Sequence, residues 1–234
     1  MSFAQRSYEK ELLDRDDIPF KDIEQNMREL NSVNTLLGGH KITQRGLLKL
    51  LDIKNNNTQP LTIAEIGCGG GDNLRVIREL LQRKNIPFQL IGIDMKPECI
   101  AFAREAFGNT ENIDWICSDY RGVRWETPPD IIFSSLFCHH FTDEEMVTQL
   151  QWLRNNSRIG FFINDLHRHP LAYYSIRLLT RIFSRSYLVK NDAPLSVKRG
   201  FKKHEWEMLL QKAGIGQYDI SWQWAFRYLV CVRQ

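Results

Sequence analysis

The sequence lacks the features that mark disulfide-rich, zinc-ribbon and membrane-spanning proteins. Its five cysteines are odd in number, scattered along the 234 residues and free of Cys-x-x-Cys spacing, which predicts buried thiols and no metal site. No apolar run approaches the roughly 18 residues of a membrane span, and the first residues lack a signal-peptide core. We therefore expect a cytoplasmic protein without integral membrane association.

The order of apolar patterns predicts an α/β fold. Helical spacing marks residues 22–37 and 43–51, and the polar run 55–60 predicts a joint between an N-terminal helical cap (1–57) and a larger domain (58–234). In that domain strand and helix patterns alternate, which is typical of parallel doubly wound sheets. We predict a Rossmann-like doubly wound sheet of seven strands, mostly parallel with a C-terminal antiparallel hairpin. The strands are expected near 61–66, 88–94, 113–118, 130–136, 158–165, 218–224 and 226–232.

The first of these strands leads into a glycine-rich loop. The strand contains Glu65, and glycines follow at 67, 69 and 71. Asp72 stands where a dinucleotide fingerprint needs glycine, and the loop lacks the Gly-Lys-Ser/Thr of a phosphate-binding P-loop. Glu65 instead suits a positively charged ligand, such as an ammonium or a sulfonium. S-adenosylmethionine carries both groups.

Three motifs in order resemble class I S-adenosylmethionine-dependent methyltransferases, in their small-molecule, type 11/12-like branch. Glu65-x-Gly67-x-Gly69-x-Gly71 resembles the first motif. The resemblance implies that Asp94, at the end of the second strand, accepts both ribose hydroxyls, and that Asp119 accepts from the adenine amino group. It implies S-adenosylmethionine as cofactor and S-adenosylhomocysteine as product. We expect the same pocket to be lined also by Cys68, Asn73, Met95, Tyr120 and Leu136.

A further cofactor contact is predicted from the cap. His40 and Arg45 follow the double glycine Gly38-Gly39, and a guanidinium suits the cofactor's methionine carboxylate. We therefore predict that Arg45 contacts the cofactor. The alternative is that Arg45 is only an exposed residue of the 43–51 helix.

The exit of the fourth strand faces the transferable methyl group in methyltransferases of this kind. Here it reads Leu136-Phe-Cys-His-His-Phe141, unlike the Asn/Asp-Pro-Pro-aromatic run typical of enzymes that methylate amide or base nitrogens. Nucleic acid is therefore disfavoured as substrate. His139 and His140 are candidate general bases because imidazole titrates near neutral pH. The alternatives are packing histidines, and an acceptor acidic enough to need only alignment.

The region between the fifth and sixth strands is strongly basic. Residues 166–203 hold nine Lys or Arg against one acid, and Arg177, Arg181 and Arg185 follow helical spacing. Within it we predict a helical acceptor-site insertion at about 170–200, whose basic amphipathic helix (171–190) contacts a hydrophobic acceptor or an anionic membrane surface. An ordinary solvated face is the alternative. The predicted acceptor contacts are Arg168, Tyr173, Tyr174 and Arg199.

Together these patterns predict methyl transfer from S-adenosylmethionine to oxygen or carbon of a small hydrophobic or aromatic metabolite. Two alternatives stay open. One is an RNA or protein methyltransferase that docks through residues 166–203 and binds polyanions in a salt-sensitive way. The other is a catalytically inactive cofactor-binding regulator.

Overall fold

The structure, a computed structural model, describes residues 3–15, 17–51, 59–108 and 110–234. Its centre is a seven-stranded sheet with the order β3-β2-β1-β4-β5-β7-β6. The first five strands of the chain are parallel, and β7 runs antiparallel to both β5 and β6. The predicted doubly wound sheet and its terminal hairpin are thus confirmed. The strands are β1 Leu61–Ile66, β2 Phe88–Asp94, β3 Ile113–Cys117, β4 Ile131–Ser135, β5 Gly160–Leu166, β6 Asp219–Gln223 and β7 Arg227–Arg233.

Helices cover both faces of the sheet. They are α1 Phe20–Leu36, α2 Gly39–Leu50, α3 Asp72–Arg83, α4 Pro97–Phe107, α5 Asp143–Asn156, α6 Pro170–Phe183, α7 Tyr187–Arg199 and α8 Lys203–Lys212. Gly38 separates α1 from α2 in the left-handed conformation, as the double glycine predicted, although α2 begins at Gly39 and not at residue 43. The predicted joint at 55–60 lies largely outside the described residues, and so does the boundary between 57 and 58.

The predicted helix 171–190 is not continuous: α6 ends at Phe183 and α7 begins at Tyr187, so its predicted extent is wrong. The break is stabilised by α1: Glu29 accepts hydrogen bonds from the main-chain nitrogens of Arg185 (3.0 Å) and Ser186 (3.1 Å). Ser186 then caps α7 by accepting from the main-chain nitrogen of Val189. α7 then continues to Arg199.

The core lies on the two faces of the sheet. On one face, residues such as Leu150 and Trp206 pack α5 and α8 against the strands. On the other, Leu47 and Ile77 pack α2 and α3 against residues that include Phe133. Both faces are therefore buried, and the carboxyl ends of β1 to β5 are the edge where loops can build a site.

Candidate active site

The loop after β1 depends on glycine at more than one position. Gly67, Gly69 and Gly71 have φ of 65°, 51° and 77°, the left-handed region that side chains disfavour. A Cβ on Gly67 would overlap the ring of Phe137, and one on Gly71 would overlap Trp115. The main chain of this loop is therefore closely packed, and it leads directly into α3.

A buried carboxylate lies beneath the loop. Glu65 is fully buried, and its Oε1 accepts a hydrogen bond of 2.9 Å from Asn73 Nδ2. Its Oε2 has no hydrogen-bond partner among the described residues. Burial raises the pKa of this carboxyl well above its usual range, and the Asn73 bond only partly opposes the shift. A cationic group would satisfy both the free oxygen and the charge.

The cap helix α2 meets this carboxylate through Asn73. Asn73 Oδ1 accepts from Thr43 Oγ1 at 3.1 Å, and His40 Nδ1 contacts the same oxygen at 3.2 Å. Arg45, the predicted carboxylate contact, points elsewhere: it is exposed and donates to Gln223 on β6 at 2.9 Å. The structure therefore places His40, and not Arg45, beside the glycine loop.

Asp94 ties the end of β2 to the same loop. Its two oxygens accept main-chain hydrogen bonds from Gly69 and Lys96, each 2.9 Å long. Burial raises the pKa of Asp94, and these two hydrogen bonds oppose the shift. Met95, the next residue, is 69% exposed. Because β1 and β2 are neighbours in the sheet, Glu65 and Asp94 flank the loop from adjacent strands.

The ends of β3 and β4 complete the predicted cofactor side. Asp119 caps a short turn by accepting from the main-chain nitrogen of Arg121 at 2.9 Å, and it also pairs with the Arg121 side chain. Tyr120 is buried, and its ring lies 6.1 Å from that of Phe137. Leu136 has φ of 54°, so the chain turns sharply where it leaves β4.

The turn at Cys138–His140 is fixed from β5 by Asp165, a fully buried residue. Asp165 accepts from the main-chain nitrogen of Cys138 at 2.7 Å and lies 2.7 Å from His139 Nδ1. Burial would lower the pKa of His139, but the charge and hydrogen bond of Asp165 and the charge of Glu11 outweigh it and raise the pKa to about 9. The sequence carried a signal for Asp165, since it is an acid near the carboxyl end of a buried strand, like Asp94.

Glu11 was missed by the sequence analysis, because no motif surrounds it. It is 5% exposed, and its two oxygens lie 3.5 Å from His139 Nε2 and 3.7 Å from His140 Nε2. Ser196 on α7 donates to Glu11 Oε1 at 2.6 Å. Burial would raise the pKa of Glu11, but the charges of His139 and His140 and the Ser196 hydrogen bond outweigh it and hold the pKa below its usual range. Both predicted histidines therefore face a charged residue of the N-terminal segment.

Arg168 and Arg199, predicted as acceptor contacts, are buried and engaged within the protein. Arg168 is 1% exposed and pairs with Glu205 at 2.5 Å, while it also donates to three main-chain oxygens. Arg199 donates to the main-chain oxygens of His139 (3.0 Å) and His140 (2.8 Å). These contacts favour a structural role over binding of an acceptor.

The two predicted tyrosines on α6 differ in their surroundings. Tyr173 is buried and packs edge-on against Phe3 with ring centres 5.5 Å apart. Tyr174 is 54% exposed on the outer face of the helix. The structure therefore brings neither tyrosine into contact with the histidine turn in the part of the chain that it describes.

Comparison with known proteins decides the family. The family described as "Methyltransferase domain" matches residues 63–183, which is more than half of the chain. The chain belongs to this family. It is an S-adenosylmethionine-dependent methyltransferase. No curated protein sequence matches it.

Solved methyltransferase structures share the fold of this methyltransferase. The plantazolicin methyltransferase BpumL in complex with SAH has a TM-score of 0.67 at 19% identity, covering 94% of this chain and 91% of that chain. Human N-acetylserotonin methyltransferase in complex with SAM gives 0.63 at 19% identity, with 92% and 56% covered. Magnesium protoporphyrin IX methyltransferase from Synechocystis PCC 6803 with bound SAM gives 0.55 at 13%, with 87% and 83% covered.

The methyltransferase uses S-adenosylmethionine as its cofactor. Its sulfonium supplies both the methyl group and the leaving group of the reaction. Within the described residues, no helix has the length and apolar character that crossing a membrane requires.

Proposed function

We propose that this methyltransferase methylates oxygen or carbon of a small hydrophobic or aromatic metabolite. The observation that carries the proposal is the exit of β4, where Phe137 packs on Gly67 of the glycine loop and Phe141 lies 4.9 Å from the Phe137 ring. An apolar aromatic wall beside the cofactor loop suits an apolar acceptor. The structural neighbours named as plantazolicin, N-acetylserotonin and magnesium protoporphyrin IX methyltransferases support a small-molecule acceptor.

We propose a cofactor seat built from the ends of β1, β2 and β3. The unpartnered Oε2 of Glu65 suits the cofactor's ammonium, Asp94 the ribose hydroxyls and Asp119 the adenine amine. The glycine main chain allows the nucleoside to approach closely, since no Cβ intervenes. In this proposal residues 1–57 act as a cap on the domain 58–234, with His40 on the cofactor side. Further lining residues are Cys68, Asn73, Met95, Tyr120 and Leu136.

We propose that the enzyme acts on the acceptor mainly by alignment. Each ring nitrogen of His139 and His140 already faces a carboxylate: Asp165 and Glu11 for His139, and Asp14 and Glu11 for His140. In this proposal the two histidines face these carboxylates and do not take a proton from the acceptor. The best acceptor is therefore an enol, phenol or carboxylate, whose nucleophile is acidic by itself and needs only placement in line with the methyl–sulfur bond.

The proposal is tested with purified protein and S-adenosylmethionine that carries an isotopically labelled methyl group. We expect label in phenolic, enolic or carboxylic small molecules from an acceptor panel, with the position read by mass spectrometry. Label that appears in RNA or protein, or on amide nitrogens, would overturn the acceptor class. Cofactor binding by calorimetry with no turnover on any acceptor would instead favour the regulator.

The outer face of α6 supports a second, accessory role in contact with an anionic membrane surface. Leu171, Leu178, Ile182 and Phe183 are 58%, 60%, 62% and 76% exposed. Arg177, Arg181 and Arg185 follow the same helix and its end, so the apolar face has a basic flank. This combination is typical of helices that lie in the interface of anionic bilayers.

Vesicle sedimentation tests this contact. The unmodified protein should sediment with vesicles rich in phosphatidylglycerol and not with pure phosphatidylcholine, and binding should weaken with salt. The double substitution Leu178→Asp and Ile182→Asp should abolish sedimentation. Leu36→Asp, at an 83% exposed leucine on α1, is the matched control and should retain it. Equal binding of the double variant would refute the contact.

A further inference from the structure

The cluster of Glu11, His139 and His140 has a geometry that methyl transfer does not require. One possible ligand atom of each of the three side chains lies within 4.8 Å of those of the other two. Glu11 and His139 are buried, and His140 is 23% exposed in its side chain. We propose that these residues form a binding site for a divalent transition-metal ion of the zinc type.

The distances distinguish a metal site from a set of ion pairs. Charge-assisted hydrogen bonds between nitrogen and oxygen measure about 2.7–2.9 Å, and the His139–Asp165 contact, at 2.7 Å, meets this value. The contacts of Glu11 Oε1 with His139 Nε2 (3.5 Å) and of Glu11 Oε2 with His140 Nε2 (3.7 Å) do not. Ligands about 2.0–2.1 Å from a tetrahedral ion stand about 3.4 Å apart, so these separations are close to those of a coordination shell.

The other nitrogen of each histidine is supported as metal-bound histidines usually are. His139 Nδ1 faces Asp165 at 2.7 Å, and His140 Nδ1 faces Asp14 at 3.3 Å. With a proton on each Nδ1, the lone pairs of both Nε2 atoms are directed to the Glu11 side. A carboxylate behind a ligating imidazole orients the ring and raises its basicity. Both histidines have this partner.

The surrounding contacts hold the three ligands together. Arg199 and Arg6 donate to the main-chain oxygens of the histidine turn, which fixes its conformation. Ser196 donates to Glu11 Oε1 and orients the carboxylate. The ligands thus come from a packed arrangement in which three separate parts of the chain meet.

The ligand types indicate the class of metal. Two imidazoles and one carboxylate suit Zn²⁺, Co²⁺ or Ni²⁺ far better than Mg²⁺ or Ca²⁺, which prefer oxygen ligands. Three protein ligands leave one position for an oxygen donor such as water, a pattern typical of open sites. This inference goes beyond the proposed function, because transfer of a methyl group from a sulfonium does not need a metal.

Metal titration of the full-length protein tests the inference. After removal of metal with a chelator, calorimetry with Zn²⁺ should show one site per chain, and Co²⁺ should give the visible absorption of a four-coordinate ion. Glu11→Gln should lose binding, and Asp165→Asn should weaken it by roughly 10- to 100-fold, as loss of an outer carboxylate does. Glu9→Gln is the matched control, since Glu9 lies on the same segment with its side chain 71% exposed.

The outcomes separate this site from the cofactor seat. S-adenosylhomocysteine should bind with the same affinity before and after chelation, so failure of one proposal does not imply failure of the other. Circular dichroism checks that each variant folds; should Glu11→Gln not fold, His140→Gln at the less buried ligand takes its place. Absence of stoichiometric Zn²⁺ binding, or Co²⁺ binding that Glu11→Gln and His140→Gln leave unchanged, would overturn the site.

Discussion

The proposed cofactor half and the proposed acceptor half of this methyltransferase are built in different ways. In the cofactor half, from β1 to the turn after β3, each proposed contact lies at the end of a strand and within a few residues of a recognisable motif. In the acceptor half, Glu11 and Arg6 from the N-terminal segment both contact His139, and Arg6 also donates to the main-chain oxygen of Arg199. Cofactor binding should therefore respond to local changes, and the acceptor half to the loss of long-range contacts.

The largest expected effect is on stability, from Arg168→Met in the acceptor half. Arg168 is fully buried and pairs with Glu205, so the variant leaves a partly buried carboxylate without its cation and removes three hydrogen bonds to main-chain oxygens. We expect the free energy of unfolding to fall by about 3–5 kcal/mol, as measured by urea denaturation. Affinity for S-adenosylhomocysteine should stay unchanged under native conditions. A loss of affinity as large as the loss of stability would show that the two halves are not independent.

In the cofactor half, Gly67→Ala should abolish most cofactor binding. The residue has φ of 65°, and its new methyl group would overlap the Phe137 ring, so the loop must shift. The left-handed conformation alone costs roughly 1–3 kcal/mol for a non-glycine residue. Calorimetry with S-adenosylhomocysteine measures the loss. Gly216→Ala, where a Cβ would meet nothing within 4 Å, serves as control and should bind normally.

Asp94→Asn should weaken cofactor binding without unfolding the protein. The amide keeps the shape of the side chain but loses the charge that the ribose hydroxyls and the Gly69 main chain share. Hydrogen bonds to a charged group contribute about 1.5–3 kcal/mol, so affinity should fall by about tenfold to a hundredfold. Asp114→Asn, an exposed residue on β3, is the control. Equal affinity of the two variants would remove Asp94 from the seat.

We predict that Glu65 releases a proton when the cofactor binds. Burial raises the pKa of this carboxyl well above its usual range, so the free protein holds a proton there at a pH where an exposed glutamate would not. An arriving ammonium favours the ionised form, and the proton leaves. Affinity should therefore rise with pH through this pKa, and the calorimetric enthalpy should vary with the ionisation enthalpy of the buffer. Glu65→Gln should remove that variation; its persistence would assign the proton elsewhere.

The smallest expected effect is on cofactor affinity, and it tests which residue of the cap helix α2 supports the cofactor site. His40→Ala removes a contact to Asn73, which itself donates to Glu65, whereas Arg45→Ala removes only an exposed bond to Gln223. We expect a measurable loss of cofactor affinity for the first and none for the second. The reverse order would restore the predicted role of Arg45 at the methionine carboxylate.

The features that the sequence predicted depend on local patterns, and those that it did not predict depend on long-range contacts. The strands were predicted to within about two residues, because strand patterns depend on neighbours in sequence. The end of α6 was not predicted, since Ser184, Arg185 and Ser186 donate there to Glu29, which lies on a helix distant in sequence. Nor does the local pattern around Pro194 predict a helix, yet α7 continues through it.

The assignment of candidate residues shows the same limit. An arginine near an expected acceptor site looks the same in sequence whether it binds a ligand or a main-chain oxygen. Only the fold shows that Arg168 and Arg199 do the latter. Glu11 could not be selected because its meaning depends on two histidines more than a hundred residues away.

The N-terminal segment has a practical consequence for dissecting this enzyme. Leu12 and Leu13 donate their main-chain N–H groups to the Asp192 carboxylate, and the Ser7 N–H donates to the main-chain oxygen of Lys198. The start of the chain is therefore hydrogen-bonded to α7. A shortened protein limited to residues 63–183 would retain the glycine loop but lose both the N-terminal segment and α7. Chimeras that exchange substrate preference will have to transplant the first fifteen residues together with α7, as one unit.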